Sequence, residues 1–162
     1  MMKGAGSRKF VVYITLTALY AAIIFYLSAQ SHLPQAVSEL EDLLRKMISI
    51  IGVRYFHIFE FIIIHPDKLE HFMLFFGFGI LLRLTASYSR HPRIRENAML
   101  VALMIGIGYG ALDEVHQMLV PCRSPSIYDF VADAAGIVCA QIFIALVMWV
   151  YVYIRLQYAR NR

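Results

Sequence analysis

Ionisable and amide side chains interrupt the apolar stretches of this 162-residue chain at spacings suited to proton transfer and anion capture. Lys68 and His71 are three apart, Asp113 and Gln117 four, Glu114 and Gln117 three, and Asp129 and Asp133 four. On a helix each pair shares a face. Arg123 falls in the short connection "VPCRSPS". His71 and Glu114 have the groups needed for general base or acid work. Asp129 joins them as a catalytic candidate and would, with Asp133, orient the base. Lys68 and Arg123 would hold an anionic group, arginine through paired N–H donors. Asp113, Gln117 and Asp133 complete the expected substrate-binding set. His71, Glu114, Asp129 and Asp133 also make a conceivable divalent-metal set, but no pair of them has a diagnostic ligand spacing. Neither a metal nor another cofactor is therefore expected. No activated Ser or Cys nucleophile is visible in the sequence.

Taken singly, several of these residues have a purely structural explanation. Lys68 beside Asp67 and Glu70 suits an interfacial anchor, His71 a packing histidine, and Asp129 a helix N-terminus, where the dipole favours an anion. Asp133 lies about a turn deeper. Asp113 and Glu114 follow 15 uncharged residues in a helix C-terminal half, where the dipole opposes an acid. His116 neighbours Gln117 but points elsewhere. In hydrocarbon each ionisable group costs roughly 2.5–3.5 kcal/mol on insertion scales. Bringing so many to one depth implies a shared polar pocket.

The elements that must position these residues follow from composition. Of all residues 60% are apolar and 16% charged, against about 45–50% and about 25% in soluble domains. Such an excess needs a nonaqueous solvent, and an all-α polytopic membrane bundle with four transmembrane helices is expected. Spans are read at about 10–29, 68–88, 98–119 and 128–154, each near the ~20 residues that cross a bilayer. The first resembles a signal peptide in layout, but its length favours a retained anchor. Between the first two spans, the region of about 35–65 reads as an outer amphipathic or interfacial helical segment. There Val37, Leu40, Leu44, Met47, Ile48 and Ile51 recur at helical spacing. All 162 residues are read as one membrane domain, with no room for a soluble domain of ordinary size.

Charge sets the orientation. Lys3, Arg8, Lys9, Arg83, Arg90, Arg93, Arg95, Arg155, Arg160 and Arg162 face one side, ten of the fifteen basic residues. The positive-inside rule makes that side, and both termini, cytoplasmic. The polar cluster then faces outward. The net charge of +4 is scattered and has no zinc-finger or stacking motif beside it, so nucleic acid is not an expected partner. Nothing in the sequence specifies an oligomer. Ala102, Gly106 and Gly110 form one small-xxx-small seam, and Ala132, Gly136 and Ala140 another. A phosphate-loop reading of Gly106, Gly108 and Gly110 fails in mid-helix. Cys122 and Cys139 are expected to be free thiols at different depths, Cys139 as a small core residue.

Three stretches carry a family resemblance: "YLSAQSHLP", "DKLEHFMLFFGFGILL" and "GYGALDEVHQMLVPCRSPSIYDFVADAAG". In order and spacing the chain resembles the VanZ-like family of small bacterial membrane proteins. The family's recurring polar positions fall on Ser28, Gln30, Asp67, Lys68, His71, Asp113, Glu114, Gln117, Arg123, Asp129 and the position of Asp133. Two departures are Asp133, where the family usually has Asn, and Cys122, where it usually has Gly. The resemblance implies an association with low-level resistance to teicoplanin-type lipoglycopeptides, or another cell-envelope role. With the outward pocket, it points to an amphiphilic or lipid-linked envelope molecule as partner, acted on by an enzyme or held by a noncatalytic binder. A transporter would instead place polar groups at mid-membrane and in both leaflets.

Overall fold

The computed structural model describes residues 3–30, 43, 46, 66–121 and 123–160. The expected interfacial segment at 35–65 lies outside the described residues except at Leu43 and Lys46, and Cys122 lies outside them as well. Among the described residues five helices have defined bounds, in order: α1 (Lys3–Ser28), α2 (Pro66–Ser87), α3 (Pro92–Glu96), α4 (Ala98–Gln117) and α5 (Ile127–Arg160). No strand occurs among the described residues. Four of the helices are long and apolar enough to cross a membrane, over Gly6–Ser28, Asp67–Ser87, Ala98–Gln117 and Ile127–Arg160. The chain is a multi-pass membrane protein, as its composition predicts.

Local chemistry explains the helix ends. Proline opens α2 and α3, where its missing N–H is no loss and its fixed φ suits the first turn. Asp67 and Asp129 stand in the first turns of α2 and α5, favoured by the helix dipole. α5 runs six residues beyond the expected end at 154. Its 34 residues extend ~51 Å at ~1.5 Å each, more than the ~40–45 Å of a whole bilayer. Trp149 stacks on Tyr153, and Arg155 lies over the Tyr151 ring, near that end.

α2 is the central element, packing on α1, α4 and, most extensively, α5. Ile24, Phe75, Phe78, Leu82, Ala102 and Ile137 form the apolar core around it. Close approach is achieved with small residues. A Cβ at Gly136 would overlap the Phe72 carbonyl oxygen and lie 2.9 Å from the Phe76 nitrogen, so α5 rests directly on the α2 backbone. At Gly106 the obstacle is instead the Ile137 side chain, with Cδ1 at 2.5 Å. Both expected small-residue seams are therefore packed, although Ala132 is only partly buried. Polar side chains add interhelical ties: Thr17 to Thr85 at 2.7 Å, Tyr109 Oη donating to the Ala21 carbonyl at 2.8 Å, and Gln141 Nε2 donating to the Gly79 carbonyl at 3.1 Å. Cys139 is exposed on α5 and is not the core residue expected. A cysteine's preference for burial loses here because its helix face looks away from the bundle.

Candidate functional site

The bundle's directions put four chain segments at one end. Arg90, just after α2, donates to Ser7 near the start of α1, so these helices are antiparallel. Lys68 pairs with Asp129 and His71 with Asp133, so α2 and α5 run parallel. Gly110 on α4 meets Asp133, and Glu114 meets Ser126, so α4 opposes α5. The C-terminal ends of α1 and α4 thus meet the N-terminal ends of α2 and α5, away from both chain termini.

Two matched pairs link α2 and α5. His71 Nδ1 is 2.9 Å from Asp133 Oδ1, with side-chain exposures of 12% and 0%. One turn nearer the helix starts, Lys68 holds Asp129 in an ion pair and Asp67 at 2.6 Å. The spacings on the two helices are commensurate, so Asp129 and Asp133 meet the face that carries Lys68 and His71. When Nδ1–H donates to Asp133, the neutral imidazole keeps Nε2 as its basic nitrogen, which is how a carboxylate orients a histidine for proton transfer.

α4 contributes Asp113, Glu114 and Gln117. Gln117 Nε2 donates to Asp113 Oδ2 at 3.0 Å, both side chains being buried. The Ser126 N–H donates to Glu114 Oε2 at 2.7 Å, while the Ser126 carbonyl accepts from the Asp129 and Phe130 N–H groups at the start of α5. Glu114 thereby fixes the connection that carries Arg123 and seats α5. Arg123 Nε donates to the Gln30 carbonyl at 3.0 Å, leaving its terminal guanidinium nitrogens without a partner among the described residues.

A cavity of about 20 Å³ lies between Ser28 of α1, Glu70, His71 and Phe75 of α2, Asp113 of α4, and Arg123. It has room for roughly one water molecule. It admits an ion or a solvent molecule, and a larger ligand must engage from its mouth. Buried polar atoms are normally satisfied, yet Asp133 Oδ2, Gln117 Oε1 and Glu114 Oε1 have no hydrogen-bond partner among the described residues.

All eight site residues expected from sequence reach this end of the bundle, but in unequal roles. His71, Asp113 and Arg123 line the cavity; Glu114, Gln117 and Asp133 brace it from behind. Lys68 and Asp129 neutralise one another beside it. Lys68 is therefore less available to an incoming anion than Arg123. His116 points away, as its position on the helix indicates, and stacks on Phe25 at 4.0 Å. His71, Asp113, Glu114 and Asp133 can each place one ligand atom within 4.8 Å of all the others. The metal set considered from the sequence has Asp129 in the place that Asp113 takes here. Sequence reasoning also missed the Gln30 carbonyl, the Ser126 N–H and the cavity position of Glu70. A backbone donor or acceptor carries no sequence signal, whereas Glu70, adjacent to His71 near a helix start, was visible as a neighbouring acid.

Neither the curated proteins nor the solved structures contain a significant match to this chain. The VanZ/LLP1 family model matches residues 10–153, an interval that holds α2 and α4 whole, most of α1 and α5, and every residue of the site. The chain belongs to the VanZ/LLP1 family.

Proposed function

We propose that the polar end of the bundle faces outward from a bacterial cytoplasmic membrane, both termini being cytoplasmic, and takes the anionic headgroup of an amphiphilic or lipid-linked cell-envelope molecule. The observation that carries this reading is the His71–Asp133 pair at 2.9 Å, beside a cavity that Arg123 also lines. Arg123 offers paired donors to an anionic oxygen. His71, oriented by Asp133, accepts or returns a proton, and Glu114 is the second proton-transfer group. Asp129 holds Lys68, and this ion pair fixes the register of α2 against α5. The ligand's apolar part stays in the bilayer beside the helices, so only its headgroup enters the protein. Altered handling of such a molecule would change susceptibility to teicoplanin-type lipoglycopeptides, and that is the phenotype to follow.

The test separates turnover from capture. His71→Asn and Glu114→Gln, expressed at wild-type membrane levels, are expected to abolish the susceptibility phenotype of an enzyme, and Arg123→Gln to weaken it. A noncatalytic binder of the same headgroup would lose function with Arg123→Gln and retain much of it in the other two. If all three variants match the wild type, the site has no part in the function.

A further inference from the structure

The acidic side chains around the cavity outnumber the cations, which is a poor arrangement for an anionic headgroup. Glu70 and Asp113 line it and Glu114 and Asp133 adjoin it, whereas Arg123 is the one lysine or arginine in its lining among the described residues. The three carboxylates that join His71 share a further property. Each is positioned through one oxygen: Asp113 Oδ2 by Gln117, Glu114 Oε2 by the Ser126 N–H, and Asp133 Oδ1 by His71. The other oxygens of Glu114 and Asp133 are buried with no hydrogen-bond partner among the described residues. For Asp133 that oxygen belongs to a side chain with 0% exposure. A fully enclosed carboxylate oxygen without a donor is costly unless something positive meets it.

We infer that His71, Asp113, Glu114 and Asp133 bind one divalent cation of the magnesium, manganese or zinc class. The dimensions suit one ion. Ligand atoms no more than 4.8 Å apart fit around a centre with bonds of about 2.0–2.4 Å, whose opposite ligands are about 4–4.8 Å apart. Carboxylate oxygens suit magnesium and manganese, and the imidazole adds zinc to the range. The four residues come from three helices, so the ion also clamps α2, α4 and α5 together. The cation site stands on its own ligands. Its further role rests on the headgroup binding proposed above, with His71 and Glu114 then acting as ligands and not as proton-transfer groups while the ion is bound: the ion supplies the positive charge that lets an anionic headgroup approach an acid-rich cavity.

The test uses the full chain in detergent, stripped with chelator and titrated with Mn²⁺ alone by calorimetry and electron paramagnetic resonance, then with Mg²⁺ and Zn²⁺. The expected result is saturable binding of one ion per chain and a higher Tm with metal than without. Asp113→Asn, which keeps volume and an acceptor, is expected to weaken binding at least tenfold and to cancel the Tm rise. Asp133→Asn serves as a second variant should the first not fold. Asp67→Asn, at the half-exposed start of α2, is expected to bind as the wild type does. Absence of saturable binding, unchanged affinity in both cluster variants, or an equal loss in Asp67→Asn would each overturn the inference. Lipid capture measured with and without metal keeps the two ideas apart. Ion binding without headgroup binding would refute the proposed function and leave the cation site standing; metal-independent capture would refute only the bridging role.

Discussion

Asp133 has two oxygens with different surroundings, one against the His71 ring and one enclosed without a donor. An asparagine at this position still presents an acceptor to His71 Nδ1–H. Asp133→Asn is therefore expected to keep the fold in metal-free detergent, whereas Asp133→Leu leaves the ring nitrogen unpaired and destabilises by about 1–3 kcal/mol. Thermal unfolding of both variants, followed by circular dichroism, checks this order. That these residues share one depth is legible in the sequence, because the number of residues from the end of each apolar run fixes it. Which neighbour each one faces is not. Asp113 and Asp129 both lie near the cluster, but the rotation of α5 against α2 gives Asp129 to Lys68, and that rotation is set by packing over the whole helix length. Glu114 was visible as an acid at an unfavourable helix end; that Ser126 compensates it depends on how the intervening turn folds.

At the scale of the helix pair, the two glycine contacts have different consequences. The obstacle at Gly106 is the Ile137 side chain, which can be shortened; at Gly136 it is α2 backbone, which cannot. Gly106→Ala is expected to destabilise by about 1–3 kcal/mol through overpacking, with part of the loss recovered in a Gly106→Ala, Ile137→Val double variant, which removes the Cδ1 that the new methyl meets. Gly136→Ala is expected to cost more and not to be rescued by shortening a side chain. Comparing Tm across the variants tests this, and recovery of Gly136→Ala by Ile137→Val would show that the helices are not in direct backbone contact. Long apolar runs make the four spans legible in the sequence. The far end of α5 was harder, because its tail of Tyr, Arg and Gln after Ile154 suits a helix leaving the bilayer as well as a loop. The short α3 went unread, since five residues carry too little periodicity and only Pro92 marks its start.

For the molecule as a whole, the distribution of Lys and Arg predicts the orientation, and the helix directions make the polar cluster and the chain termini opposite ends of one bundle. In a background of Cys122→Ser and Cys139→Ala, Ser124→Cys is expected to react with an impermeant maleimide in intact cells. Tyr158→Cys should react only after permeabilisation. The reverse pattern would place the site in the cytoplasm. The claim on which the functional account turns is that this end of the bundle holds an anionic lipid headgroup through Arg123. Native mass spectrometry of the metal-loaded full chain with a polyprenyl phosphate and with zwitterionic phosphatidylcholine measures it directly. The account predicts that the wild type retains the phosphate lipid in preference to the zwitterionic one by at least tenfold, and that Arg123→Gln loses most of that preference. Equal retention of both lipids by the wild type, or an undiminished preference in Arg123→Gln, would contradict it.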